Sequence, residues 1–222
     1  MTMDRELILT ADGSHTLYVP ALNEHFHSVH GAIQESMHVF IKNGLQRSTK
    51  QELCIFEVGF GTGLNALLTL ANKGERNIRY FSIEKYPLTE AEFSQLNFSR
   101  QFPDELSAPF EQMHQCPWNK AQQIAPGFEL TKLDADLTIF NFNILPQFDL
   151  IYFDAFAPNK QADMWSEALF ATIAAQTRAG GLFVTYCAQG EVRRKLTRSG
   201  FDMQRIPGPP GKKEMLFGQK PA

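Results

Sequence analysis

Short apolar runs alternate along this chain with stretches in which apolar residues recur every three or four positions. Leu53 to Val58, Ile78 to Ile83, Phe148 to Phe153 and Leu182 to Cys187 read as strands, and the nearly unbroken apolarity of Phe148 to Phe153 suits a strand buried on both faces. Between them, Leu64 to Asn72 has helical spacing. So does the segment through Trp165, Leu169 and Ile173, which is expected to stop around Ala179-Gly180-Gly181. A further helix is expected from Thr89 towards Phe98, introduced by Pro87. Strand and helix in alternation predict a wound, mostly parallel sheet.

The flanks read differently. Strands near Leu7 to Thr10 and His15 to Val19 precede a helix over His30 to Ile41, where Ile33, Met37 and Phe40 share one face. Ser99 to Pro126 carries four prolines and reads as an irregular excursion with one short helix near Asn119 to Ile124. Phe128 to Leu133 and Leu137 to Phe142 flank Asp134-Ala135-Asp136 as paired strands around a tight turn. Phe201 to Ile206 and Glu214 to Gln219 form a terminal hairpin joined by residues 207–213. The expected architecture is an α/β, Rossmann-like fold: a seven-stranded, mostly parallel sheet with a C-terminal antiparallel hairpin. A small N-terminal extension, residues 1–45, packs on a main domain of residues 46–222.

The length of 222 residues, 43% of them hydrophobic and 20% charged, suits one well-buried domain. No run approaches the roughly 18–20 apolar residues of a membrane span, and the N-terminus lacks a signal-peptide pattern, so a cytoplasmic protein without a membrane partner is expected. Cys54, Cys116 and Cys187 are far apart and read as reduced thiols. His25, His27, His30 and His38 are conspicuous, but no carboxylate or cysteine pattern completes a metal site, and none is expected. The formal charge of −3 offers polyanions no global attraction. Between Gln176 and Ala222, however, nine Lys or Arg face three acids, either as solvated helix faces or as a local phosphate-facing patch.

The chemistry concentrates where strands end. Glu57-Val58-Gly59-Phe60-Gly61-Thr62-Gly63-Leu64-Asn65 reads as a strand entering a glycine loop and then a helix, bringing backbone close to a nucleotide-like ligand. Glu84, followed by Lys85, closes the next strand, where a carboxylate can accept from both ribose hydroxyls. An acid before the first glycine, and the lack of the third-glycine spacing of a dinucleotide fingerprint, favour S-adenosylmethionine over a nicotinamide or flavin nucleotide. Asn143 stands where an adenine-reading side chain would sit, or is a simple turn residue. Asp154 leaves the buried strand at the cofactor edge and is the catalytic candidate: a carboxylate able to orient an amine acceptor and take its proton. Trp165 reads equally as core packing or pocket wall.

Taken together, Glu35-Ser36-Met37-His38-Val39-Phe40, Glu57 to Asn65, Glu84-Lys85-Tyr86-Pro87-Leu88-Thr89, Asp154-Ala155-Phe156-Ala157-Pro158 with Met164-Trp165, and Lys212-Lys213-Glu214-Met215-Leu216 resemble a known family. It is the methyltransferase domain of the bacterial bifunctional enzyme that completes 5-methylaminomethyl-2-thiouridine at the tRNA wobble position. The resemblance runs from about Ser28 to Gly218. It implies a class I S-adenosylmethionine-dependent methyltransferase with adenosine contacts at Gly59, Gly61, Gly63 and Glu84 and an active-site aspartate at Asp154. The family usually has Gly-Asp where Phe142-Asn143 stand, and Gly at Ala155.

The implied reaction methylates the amine of 5-aminomethyl-(2-thio)uridine at tRNA position 34, without the family's fused flavin-dependent oxidase and with no obligatory protein partner. The anticodon stem-loop is then the expected partner. His25, Phe26, His27 and Trp165 are candidates for the base, and Arg193, Arg194, Lys195, Arg198, Lys212, Lys213 and the adjoining Glu214 for the backbone side. Methylation of another amine, or cofactor binding without turnover, are the competing readings.

Overall fold

The computed structural model describes residues 4–222; Met1 to Met3, the start of the expected N-terminal extension, lie outside the described residues. The chain opens with β1 (Glu6–Leu9), β2 (His15–Val19) and β3 (Glu24–His25), a small antiparallel sheet in that order. Helix α1 (Ala32–Ser36) runs directly into a π-helical segment, Met37–Lys42. The main unit follows as β4 (Glu52–Val58), α2 (Leu64–Asn72), β5 (Asn77–Glu84), α3 (Glu90–Phe93), α4 (Phe98–Gln101), α5 (Ser107–Gln115), β6 (Ala121–Ala125) and β7 (Phe128–Asp134). It ends with β8 (Phe148–Phe153), α6 (Glu167–Gln176), β9 (Thr177–Thr185), α7 (Gly190–Arg198), β10 (Asp202–Pro207) and β11 (Glu214–Gln219).

The eight strands β4 to β11 form one sheet in the order β10-β11-β9-β8-β4-β5-β7-β6. Strands β4, β5, β7, β8 and β9 are parallel; β6, β10 and β11 run against their neighbours. The winding reverses at β4, which pairs with β5 on one side and β8 on the other. In open α/β sheets, ligands bind at the carboxyl ends of the strands flanking such a reversal. Side chains alternate between two cores. Ile55, Tyr80 and Tyr152 face α2 and the π-helical segment, with Leu67 and Phe40. Phe56, Phe153 and Phe183 face α6 and α7, with Phe170 and Leu196. Leu17, Ala32 and Val39 join the first of these cores, which fixes the N-terminal sheet and α1 over one face.

Several expectations from the pattern give way to tertiary context. The short helix expected at Asn119 to Ile124 is the edge strand β6, the eighth of the sheet where seven were expected; it turns back on β7 through Pro126-Gly127. Leu137 to Phe142 is not a strand partner. It is two 3-10 turns, because Asp136 and Asn141 accept from the backbone N–H groups of Thr138 and Asn143 and wind the chain tightly. The helix expected from Thr89 to Phe98 shortens to α3, capped by Thr89 and Glu92. Helix α6 ends at Gln176, and β9 starts at Thr177, before the glycine pair.

The excursion also contains α5, pinned by the buried Lys132 of β7, whose Nζ donates to His114 O at 2.6 Å. A cation at the carbonyl end of a helix is favourable. The same ammonium lies 4.5 Å from the Trp118 ring centre, a cation–π contact.

Candidate active site

Strand β4 delivers its last residues to the reversal point, and the chain then turns through Gly59, Gly61 and Gly63 at φ values of 87°, 51° and 72°. These left-handed conformations strain any residue with a Cβ. Space adds to the constraint: a Cβ on Gly59 would lie 3.1 Å from Asp154 O, and one on Gly61 would lie 3.1 Å from the Phe26 ring. Gly61 N–H donates to Glu84 Oε2 at 3.1 Å, and Tyr86 N–H donates to Glu84 Oε1 at 2.8 Å. Each oxygen retains a lone pair, so the Glu84 carboxylate is oriented and still able to accept. His114 bonds Thr62 O at 3.1 Å, and His27 Nε2 bonds Thr62 Oγ1 at 2.7 Å, tying the loop to α5 and to the N-terminal sheet. Burial drives both imidazoles neutral, His27 to about 4 and His114 to about 3.

Asp154 follows β8, and its Oδ2 accepts from Asn65 Nδ2 at 2.9 Å. Burial, then the nearby Glu35 carboxylate, pushes Asp154 up to about 7. Beneath it Glu57 is fully buried, and burial pushes it to about 8 although Ser82 Oγ donates to its Oε2 at 2.6 Å. Glu57 Oε1, Asn65 Oδ1 and Tyr80 OH are buried without a partner.

A cavity of about 320 Å³ opens over these groups. The glycine loop, Asn65, Glu84, Lys85 and Asp154 line it together with His25, Phe26, His27, Glu35, Tyr186 and Lys212. Phe26 meets Phe156 edge to face at 5.2 Å. Lys212 Nζ donates to Glu35 Oε1 at 2.6 Å. Glu57, expected among the cofactor contacts, is not in the lining, because it is fully buried beneath Asp154 and bonded to Ser82 of β5.

The other candidates stand elsewhere. Asn143 is exposed on a 3-10 turn outside the cavity; because the chain leaves β7 at Asp134, the end-of-strand position belongs to Ala135, Asp136 and Leu137, which do line it. Lys85 Nζ donates to Asp136 Oδ2 at 2.7 Å, and that bond leads the contacts holding Asp136 at about 2. Trp165 is core: it is 1% exposed, donates from Nε1 to Phe156 O at 2.8 Å and packs on Phe153. Its neighbour Met164 takes the wall position.

The basic patch is partly self-neutralised. Arg194 pairs with Glu191 at 2.7 Å, Arg198 with Glu167 at 2.8 Å, and Arg205 with Glu214 at 3.6 Å. Lys195 donates to Trp165 O at 3.0 Å. Arg193 and Lys213 carry no ion pair among the described residues. Sequence reasoning missed Glu35, Tyr186, Asp136 and Arg5, which also lines the cavity and pairs with Glu92 at 3.0 Å. The only signal for Glu35 was its place in the Glu35 to Phe40 motif, and Tyr186 could have been found as the residue following a strand at the ligand edge.

Strand order, winding reversal and glycine cradle define a nucleotide-binding α/β enzyme fold of the methyltransferase type. A family model described as S-adenosyl-L-methionine-dependent methyltransferase matches residues 91–221. The tRNA 5-methylaminomethyl-2-thiouridine biosynthesis bifunctional protein MnmC of Cupriavidus metallidurans is 34% identical over 232 residues, covering 96% of this chain and 34% of that protein. Its namesake in Burkholderia multivorans is 30% identical, covering 92% and 33%. The chain thus spans about a third of the length of these curated relatives. The crystal structure of MNMC2 from Aquifex aeolicus superposes with a TM-score of 0.82 over 99% of this chain and 73% of that one, at 23% identity, and shows the same fold. The chain belongs to the S-adenosyl-L-methionine-dependent methyltransferase family.

The residues present fit that cofactor. Asn65 Oδ1, an unpartnered buried acceptor in the lining, offers an acceptor to the methionine ammonium. Glu84 offers acceptors to the ribose, and the glycine loop admits close backbone approach.

Proposed function

We propose that this enzyme methylates the amine of 5-aminomethyl-(2-thio)uridine at position 34 of tRNA, giving 5-methylaminomethyl-(2-thio)uridine. The names of the relatives support the substrate. The observation that carries the chemistry is Asp154, a carboxylate held by Asn65 at the cofactor edge of the cavity. When bound, S-adenosylmethionine supplies a methyl on sulfonium sulfur, which the acceptor nitrogen takes with its lone pair as the carbon–sulfur bond breaks towards sulfur.

Asp154 orients the amine and accepts its proton. With an affinity near neutrality it is matched to that task at physiological pH. Phe26 and His25 line the cavity, and we assign them to the acceptor, stacking on a base already unpaired in the anticodon loop. Within the basic patch, Arg193 and Lys213, which carry no ion pair among the described residues, are the cations we assign to phosphates of the stem-loop. Asp136, which lines the cavity where Asn143 does not, is our candidate for the adenine amino group in place of Asn143.

The test is transfer of labelled methyl from S-adenosylmethionine to tRNA from cells that accumulate the aminomethyl nucleoside, followed by nucleoside analysis. Label in the methylaminomethyl nucleoside is expected. Label only on free amines, or cofactor binding without turnover, would replace this reading with one of its competitors.

A further inference from the structure

The acceptor wall contains an ion pair whose position is over-determined. Glu35 lies on α1 and is 7% exposed; its Oε2 accepts Ser28 N–H at 2.7 Å and its Oε1 accepts Lys212 Nζ at 2.6 Å. Lys212 arrives from the loop between β10 and β11, far along the chain. That loop is locked against the N-terminal segment. Gly211, at φ 82°, approaches the His30 ring so closely that a Cβ there would collide with it. His38 Nε2 bonds Pro207 O at 2.9 Å. The Lys212 ammonium also lies 4.0 Å from the Tyr186 ring centre, and the Tyr186 hydroxyl donates to Ala155 O at 2.8 Å, next to Asp154. An ordinary surface salt bridge is not held from three sides.

The chemistry explains why a cation belongs there. An amine attacks only as the free base, yet every uncompensated carboxylate in the pocket stabilises its protonated, unreactive form. Glu35 and Asp154 line one cavity. The groups facing them from the neighbouring elements are Glu24, His27, Glu57, Tyr80, Tyr186 and Lys212. Burial keeps His27 neutral, raises Glu57 to about 8 and raises both tyrosines well above their usual range, so these add no charge at pH 7. Of the charged groups in the lining, Arg5 is paired with Glu92, Lys85 with Asp136, and Glu84 is held by the backbone N–H groups of Gly61 and Tyr86; Glu24, Glu35, Asp154 and Lys212 remain.

We propose that Lys212 is a positioning residue that neutralises Glu35, so that the cavity takes the acceptor amine as its free base and Asp154 is the carboxylate that removes the proton. The role rests on the amine-methylating reading above. Lys212 then acts inside the cavity rather than on a phosphate. The proton balance is simple: the amine is bound neutral, becomes a secondary ammonium on accepting the methyl, and loses one proton to Asp154, which passes it to solvent.

The experiment compares Lys212→Met, Glu35→Gln and the double variant, with rate–pH profiles on tRNA bearing the aminomethyl nucleoside and melting curves for each protein. Lys212→Met leaves Glu35 uncompensated, so both the amine and Asp154 hold protons more tightly. The acid limb should move up by about one pH unit and kcat at pH 7 should fall about tenfold, with KM little changed. Glu35→Gln should move the limb the opposite way. The double variant should return it to the wild-type position and recover most of kcat.

A double variant as slow as Lys212→Met while still folded would overturn the assignment. So would a Lys212→Met effect confined to KM and abolished by salt, the signature of a phosphate contact. Wild-type enzyme that methylates no such tRNA would instead bring down the amine reading itself, and this inference with it.

Discussion

The floor of the cavity is built from three strand ends that are neighbours in the sheet, whereas its far wall is assembled from the two ends of the chain. Gly59, Glu84 and Asp154 leave β4, β5 and β8, whose register is fixed by continuous parallel pairing. Glu35 and Lys212 meet only because the N-terminal segment and the β10–β11 loop fold over the same opening. The floor depends on backbone conformation and tolerates little change. The wall depends on side-chain charge, and its electrostatics can be altered while the fold persists. Cofactor binding should therefore report on the floor, and acceptor chemistry on the wall together with Asp154.

The largest effect should come from the point where floor and wall meet. Asp154→Asn keeps an oxygen for Asn65 Nδ2 but cannot accept a proton, so methyl transfer should fall by about 10²–10⁴-fold. Calorimetry should find S-adenosylmethionine affinity reduced far less. In the wild type, transfer should rise with pH through about 7, because burial raises the Asp154 carboxyl and only its ionised form is a base. A flat profile between pH 6 and 8 would remove Asp154 from the proton step. Next is the backbone: Gly59→Ala places a Cβ in a left-handed conformation at 3.1 Å from Asp154 O. The conformational penalty alone is about 1–2 kcal/mol, and weaker cofactor binding with a lower melting temperature should follow.

Below the floor, Glu57 sharpens the contrast further. Burial raises it from the usual carboxylate range to about 8, so the folded state binds its proton more tightly than the unfolded chain does. The corresponding stability is fully present below the unfolded value and is lost as pH rises towards 8. Glu57→Gln mimics the protonated form and can supply a donor among the unpartnered Asn65 Oδ1 and Tyr80 OH. Without cofactor, wild-type melting temperature should decline from pH 5 to pH 9 while the variant's profile is flatter. A variant equally sensitive to alkali would show that Glu57 is not the titrating group.

The same contrast explains what the sequence disclosed. The cradle was legible because glycines at fixed offsets after an apolar run, and an acid closing the next strand, are local signals; Gly59, Gly61, Glu84 and Asp154 line the cavity, while Gly63, expected among the adenosine contacts, stands outside the lining as the left-handed cap of α2, packed against His114 and Phe60. Strands β4, β5 and β8 and the terminal hairpin were legible for the same reason. Strand β6 was not, since Ala-Gln-Gln-Ile-Ala has no alternation and becomes a strand only by pairing with β7. Helix α5 was hidden by Pro109, which is tolerated because it sits in the first turn. Trp165 carries no pattern that separates core from wall. Lys212 read as part of a basic surface because nothing in its neighbourhood announces Glu35.

The smallest effects should lie outside the cavity, where the basic patch separates into free and committed cations. Arg194 and Arg198 are already paired with Glu191 and Glu167, so removing either also releases an acid and changes the local field little. Arg193 and Lys213 have no such partner among the described residues. Charge reversal at either should weaken tRNA binding several-fold, and losing one phosphate contact should reduce the slope of log affinity against log salt by about one. Arg194→Ala should shift both quantities less. Filter binding across a salt series, with S-adenosylmethionine affinity as the control, distinguishes the two groups. If Arg193→Glu and Lys213→Glu leave the salt slope unchanged, the stem-loop reaches the cavity by another face, and the wall around His25 and Phe26 becomes the surface to probe.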